Sequence, residues 1–323
     1  MFNPKSTSIM SLSFQEVTVR WKQDKRRWVK ASTYAVYVQI VKKHILPFFR
    51  DCPAEQLSEE RIQLFADGML RQGLSVHSIR DALMILKMIL LYGEKIAAWP
   101  HIAYEIHLPT TAERKSEVPV LSPQHHRKLL FHLQENFSFR NLGILVCLYS
   151  GLRIGEVCGL QWKDLDVEAG VIRVSKTVQR IWLSDGADYD YSLRIGPPKT
   201  QASVREIPIG RELMKIVRPL RKVMTDEFFV ITNAPMPMEP RYYREYFRKL
   251  LGRLDIPPIR FHALRHGFAT RCIESKCDYK TVSVLLGHAS LATTMDLYVH
   301  PGFVEKKQVI ERMSRKLQAP YSQ

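Results

Sequence analysis

Residues 261–298 read FHALRHGFATRCIESKCDYKTVSVLLGHASLATTMDLY, and the rest of the chain is best understood from this stretch. It contains His262-Ala263-Leu264-Arg265-His266, then Leu286-Gly287-His288, then Leu297-Tyr298. Apolar residues recur at helical spacing over 261–272 and over 279–286, and Gly287 stands where a helix would end. His262 and Arg265 are three apart, so on a helix they share a face. An arginine offers a planar fork of donors matched to phosphate oxygens. A histidine moves protons near neutral pH, and a tyrosine can act as a covalent nucleophile. Each block also has a plainer meaning. His262 and Arg265 fit a solvated polar face, His288 a capping residue, and Tyr298 a core aromatic with a wet hydroxyl.

A metal reading fails on spacing. His262 and His266 are four apart, like a helical zinc pair, but the metalloprotease form needs Glu directly after the first His. Ala263 stands there, and no third ligand sits at an obvious spacing. No metal and no cofactor are therefore expected. The chain has neither a Walker glycine loop nor a dinucleotide fingerprint, so ATP and NAD are not indicated.

Two upstream motifs carry further candidates. In Gly151-Leu152-Arg153-Ile154-Gly155-Glu156, Arg153 opens a predicted helix, where backbone N–H groups favour anions. An ion pair with Glu156 fits the same spacing. Lys199, in Pro198-Lys199-Thr200, falls in a predicted loop between strands, where a solvated lysine is equally at home.

Composition narrows the partner. The 323 residues carry 48 Lys and Arg against 32 Asp and Glu, a net charge of +16, with a globular 46% hydrophobic content. The excess is distributed: +5 over residues 1–110 and +11 over 111–323. Both parts are basic, as expected if both touch one polyanion, with nucleic acid ahead of a membrane surface. The five cysteines (Cys52, Cys147, Cys158, Cys272, Cys277) form no CxxC pair and point to a reducing cytosol. The apolar run 142–152 is too short to span a membrane, and the polar N-terminus carries no signal peptide, so a cytoplasmic, nucleoid-associated protein is expected.

The pattern divides the chain as a 1–12 tail, a helical domain at 13–99, a linker at 100–120, a mixed domain at 121–302 and a terminal helix and tail at 303–323. Four helices are predicted in the first domain. One begins at Phe14, one runs from Thr33 to a stop at Pro47, one is capped by Ser58, and one is capped by Ser75. In the second, Ser122-Pro123 signals a helix start, a helix from Asn141 stops at Gly151, and strands are expected at Val171–Val178 and Arg205–Ile209. The expected class is α-rich and multidomain: a four-helix N-terminal domain, then a mainly helical α+β domain with a small antiparallel sheet.

The order Gly-Leu-Arg-Ile-Gly-Glu, Pro-Lys-Thr before Arg205-Glu206-Ile207-Pro208, His-x-Leu-Arg-His, Leu-Leu-Gly-His and a Tyr ten residues on resembles the tyrosine recombinase (phage integrase) family over about residues 118–300. The helical first domain is similar in size, place and composition to the family's core-DNA-binding domain. The resemblance implies that Tyr298 attacks a DNA phosphate to form a 3′-phosphotyrosyl link, while Arg153 and Arg265 clamp its oxygens. It implies that Lys199 protonates the leaving oxygen, His262 assists proton transfer, His288 hydrogen-bonds the phosphate and Glu156 buttresses the site. It further implies double-stranded DNA as substrate and a homotetramer on two synapsed sites. Helix 303–317 would be exchanged between protomers, and DNA-bending or directionality proteins could assist. The extra N-terminal domain that some integrases carry for arm-type sites is not expected. Residues 179–198 lengthen the region before Lys199 and place Asp185, Asp188 and Asp190 there, which suits solvent or a partner protomer better than DNA. A type IB topoisomerase-like relaxing enzyme and a DNA-binding regulator with a vestigial site are the alternatives.

Overall fold

The computed structural model describes residues 12–109, 120–182, 191–198, 200–288, 290–291, 294–295, 307, 310–311 and 313–315. It divides into two compact units. The first comprises residues 1–116 together with 180–192, the second 117–179 together with 193–323.

The first unit is helical: α1 (Phe14–Trp28), α2 (Ala31–Ile40), α3 (Leu46–Phe49), α4 (Glu59–Arg71) and α5 (Val76–Lys95). Ser13, Ser58 and Ser75 cap α1, α4 and α5 through their hydroxyls, satisfying amides that a helix start leaves open. The helix expected to stop at Pro47 runs on instead. Residues Val41–Ile45 form a π turn in which the Leu46 N–H reaches the Val41 carbonyl, and α3 continues from it with Pro47 in its first turn. Proline has no N–H to give and crowds the carbonyl four residues back; the wider turn just before it accommodates both defects. The core gathers Phe14, Trp21, Phe49, Ile62, Phe65, Ile79 and Leu86, with the Trp99 ring stacked 5.9 Å from Phe14. Residues 100–108, expected as linker, belong to this unit's packing: Ile102, Tyr104, Ile106 and Leu108 lie against its core. Isolated apolar residues without a period hid this from the sequence.

The second unit holds α6 (Pro123–Glu135), α7 (Phe139–Ser150), α8 (Ile154–Cys158), β1 (Leu165–Asp166), β2 (Val171–Val174), β5 (Arg205–Pro208), α9 (Arg211–Arg221), α10 (Pro240–Arg253), α11 (His262–Glu274) and α12 (Tyr279–Leu286), while β3 (Thr177–Trp182) and β4 (Tyr191–Gly196) each have residues in both units. The strand expected over 171–178 is two strands, because the chain leaves the first sheet after Val174 and pairs anew from Thr177. Strands β1, β2 and β5 form an antiparallel sheet with Ile172 opposite both Leu165 and Ile207, while β3 and β4 form a two-stranded ribbon. Strand β2 alternates: Ile172 and Val174 are buried, and Arg173 faces out to Asp166 and Glu206.

Helix α7 is apolar nearly all round and lies within the core with Leu142, Ile144, Leu145, Val146 and Leu148 buried. Helices α8 and α11 pack on α7, and α12 packs on both α11 and β5. That arrangement brings the ends of α7, α11 and α12 and the start of β5 to one place. The terminal helix expected at 303–317 lies largely outside the described residues, as do Asp185, Asp188 and Asp190.

Candidate active site

Gly151 ends α7 in left-handed backbone at φ +65°, which turns the chain sharply into α8. Arg153 is the residue just before α8. Its backbone N–H donates to Glu156 Oε2 at 2.9 Å and its Nη1 to Glu156 Oε1 at 2.8 Å. The amide expected to favour an external anion is thus taken by Glu156, and the ion pair read from the spacing is present. The guanidinium keeps a second anchor, Nη2 to the Gly287 carbonyl at 2.9 Å, and its side chain stays 35% exposed.

Glu156 is buried between two arginines. Arg205 donates to it from the other side, Nη2 to Oε2 at 3.0 Å and Nη1 to Oε1 at 3.2 Å. Burial pushes its carboxyl pKa up, but the Arg205 bonds and charge, joined by Arg153, hold it below the ordinary carboxylate value. Removing either partner of such a buried pair costs about 3–5 kcal/mol.

Arg265, on the first turn of α11, is buried, and its Nη1 donates to the Gly151 carbonyl at 3.0 Å and its Nη2 to the Leu286 carbonyl at 2.7 Å. Burial and the nearby Arg153 cation lower its pKa to about 9, which leaves it charged at pH 7. These described hydrogen bonds run to neutral carbonyls, so the buried charge favours an incoming anion.

Three consecutive carbonyls at the end of α12 therefore receive three arginines: Leu285 from Arg205 Nε at 2.7 Å, Leu286 from Arg265 and Gly287 from Arg153. A helix C-terminus exposes unpaired carbonyls and carries partial negative charge, which makes it a natural seat for cations. Gly287 closes the helix at φ +64°, and the next amide, of His288, returns to the Ser283 carbonyl at 3.0 Å. His288 is thus both a backbone cap and a side chain projected from the turn. Its Nδ1 lies 2.7 Å from Thr294 Oγ1.

His262 opens α11 and is exposed to solvent, and its ring stands edge-on to His266 with centroids 4.7 Å apart. Desolvation within the site, with the positive field of His266, Arg265 and Arg153, lowers the His262 pKa to about 4. His288 falls to about 4 for the same reasons, burial first and then Arg265 and Arg153. Both imidazoles are consequently neutral at pH 7. Among the described residues no group of three His, Cys, Asp or Glu is placed to hold a metal ion, and no helix is long and apolar enough to cross a membrane.

Four of the residues singled out in the sequence, Arg153, His262, Arg265 and His288, converge here with Glu156. Lys199 and Tyr298 lie outside the described residues, although Ala202 and Ser203, which follow soon after Lys199, pack on Gly287. Sequence reasoning missed Arg205 as part of the site. Its only signal was an arginine opening a strand soon after Pro-Lys-Thr.

Residues 119–304 match the phage integrase family model, and residues 13–70 match the phage integrase N-terminal SAM-like domain. A tyrosine recombinase XerC-like protein of Caldanaerobacter subterraneus is 27% identical over 277 residues, 79% of this chain and 70% of the relative. The ICEBs1 integrase of Bacillus subtilis is 24% identical over 297 residues, 88% of this chain and 78% of the relative. In fold, the chain is similar to the Tn1549 transposon integrase solved in complex with a circular intermediate DNA. That match has a TM-score of 0.75 and 24% identity, and it covers 94% of this chain and 100% of the other.

Proposed function

The chain belongs to the phage integrase family and is a tyrosine-type recombinase, and on that premise we propose that it recombines specific DNA sites through a covalent 3′-phosphotyrosyl intermediate formed by Tyr298. The observation that carries this reading is the set of arginines seated on the end of α12, which aims Arg153 and Arg265 together with two neutral histidines at one position.

A phosphodiester entering this position meets Arg153 and Arg265 on its non-bridging oxygens. Their fixed forks stabilise the charge that builds in the pentavalent transition state, where preorganised donors are most effective. A tyrosine hydroxyl titrates near 10, so it needs a base at the moment of attack. Neutral His262 accepts that proton. With Thr294 donating to its Nδ1, His288 carries its proton on Nε2 and gives a hydrogen bond to the phosphate. The Tyr298 oxygen–phosphorus bond forms as the bond from phosphorus to the 5′ oxygen breaks, and Lys199 supplies the proton that the leaving oxygen takes up. General acid help of this kind contributes roughly 10²–10⁴-fold. Because the link retains the phosphodiester's energy, a 5′-hydroxyl from a second site reverses the attack without ATP or a metal.

The substrate is double-stranded DNA gripped by both basic units, with four protomers joining two sites and the 303–323 segment exchanged between protomers. DNA-bending or directionality proteins are the accessory partners, and the nucleoid is the place of action. Replacing Tyr298 by Phe tests the reading. On a nicked suicide duplex it should abolish covalent adducts while leaving duplex affinity intact, and adducts that persist would reject Tyr298 as nucleophile.

A further inference from the structure

Arg205 has no part in the chemistry above, yet it holds the frame around it. Its side chain is 4% exposed at the start of β5. Beyond its two bonds to Glu156, its Nη1 donates to the Ser203 carbonyl at 2.9 Å and its Nε to the Leu285 carbonyl at 2.7 Å. Both carboxylate oxygens of Glu156 are therefore fixed from the β5 side, and they receive Arg153 on the α8 side. The other anchor of Arg153, the Gly287 carbonyl, lies two residues beyond the carbonyl that Arg205 pins.

We propose that Arg205 is a positioning residue for strand cleavage: it sets the direction of Arg153 by clamping Glu156 and by holding the end of α12, and it ties the turn after Lys199 to the same frame. This rests on the reading of the site as a phosphodiester clamp. Arg153 holds the carboxylate by one amide and one guanidinium bond, both from its own short segment; Arg205 adds a parallel pair that ties the same carboxylate to β5. Lysine at 205 would restore the charge but not the parallel pair of bonds, nor the additional bonds to Leu285 and Ser203.

The groups facing Glu156 are Arg153 before α8, Arg205 on β5, Arg265 and His262 on α11, and Cys147 on α7. Only Arg153 and Arg205 bond it directly among the described residues. Without Arg205 the buried carboxylate loses its largest stabilising partner and takes up a proton at higher pH. Once protonated, it no longer holds Arg153 by charge.

The test uses the full chain with Arg205→Met, Arg205→Lys and the double variant Arg205→Met with Glu156→Gln. Single-turnover cleavage of a nicked suicide duplex is measured against pH, and affinity is measured on the uncleaved duplex. Arg205→Met and Arg205→Lys should cleave about 10–100-fold more slowly, as expected when a supporting contact is lost, with affinity kept within about threefold. The acid limb of the rate profile should move to higher pH in Arg205→Met and return in the double variant, which has no carboxyl at 156 to titrate, to the limb that His262 sets near pH 4. Wild-type cleavage by Arg205→Met, full rescue by Arg205→Lys, or a rate loss matched by lost affinity with an unmoved acid limb would each overturn the proposal. If Arg205→Met does not fold, the rate and affinity of Arg205→Lys decide. A wild-type protein that binds but never cleaves would refute the clamp reading and not the role of Arg205 within it.

Discussion

Gly287→Ala probes the seat of the arginines directly. At φ +64° an added Cβ would lie 2.8 Å from the Ala202 carbonyl oxygen, 3.0 Å from Arg205 Cδ and 3.1 Å from Ser203 Cα. Gly170 offers a control in the same unit: it has φ +70°, and its added Cβ would meet nothing nearer than Met214 Cε at 4.0 Å. Left-handed backbone costs a residue with a Cβ roughly 1–2 kcal/mol, so Gly170→Ala should lose about that much stability. Gly287→Ala adds crowding against backbone that cannot rotate away, about 1–3 kcal/mol more, for a total of about 2–5 kcal/mol. Relief requires the end of α12 or the 200–203 turn to move by several tenths of an ångström. Such a movement shifts the Leu286 and Gly287 carbonyls that hold Arg265 and Arg153. A misplacement of about 1 Å costs on the order of 10²-fold in rate, so a loss of about 10–100-fold in cleavage is expected. Urea unfolding of both variants gives the stability difference. Single-turnover cleavage at saturating duplex gives the rate, and fluorescence anisotropy gives affinity, which should stay within about threefold of wild type. If Gly287→Ala were no less stable than Gly170→Ala, or cleaved at the wild-type rate, the α12 terminus would not be what places the arginines.

Lys199→Ala should cleave ordinary DNA very slowly, and a 5′-bridging sulfur in the scissile link, which leaves without a proton, should restore the rate; no rescue would remove Lys199 as the acid. Duplex affinity should fall on the order of 10³-fold or more between about 50 and 200 mM salt if six or more phosphates are neutralised, and a flat titration would exclude an extended footprint. For His262 and His288 the folded pKa, about 4, lies below the ordinary 6.5. The unfolded chain therefore takes up protons first as pH falls, so the contribution of these two histidines to stability without DNA should drop from about pH 6.5 toward 4 and level off below it. Urea midpoints across that range check this; a His262→Gln, His288→Gln double variant should show a shallower fall, and an unchanged slope would contradict the assigned environments.

Much of this architecture is visible in the chain itself because it is local. Serine caps at 58, 75 and 122, the glycine ends of α7 and α12, and the three-residue spacing of Arg153 and Glu156 all act within one or two turns. What the sequence concealed depends on distant partners. Pro47 reads as a stop until the π turn before it is seen. Residues 102–108 look like linker because their apolar side chains have no period, and only the core they pack on explains them. Arg205 looks like a strand residue, and its significance lies in carbonyls and a carboxylate far along the chain. The ion pair that spacing predicts for Arg153 is compatible with the phosphate contact proposed for it, since Glu156 and the Gly287 carbonyl hold the guanidinium while its side chain stays 35% exposed.

Mapping the covalent adduct tests the chemistry most directly. The protein is trapped on a nicked suicide duplex and digested with protease and nuclease, and the nucleotide-bearing peptide is sequenced by mass spectrometry. The expected product carries a 3′-linked nucleotide on Tyr298 with a free 5′-hydroxyl on the released strand. A nucleotide on any other residue, a 5′ linkage, or a bound duplex that yields no adduct would contradict the mechanism.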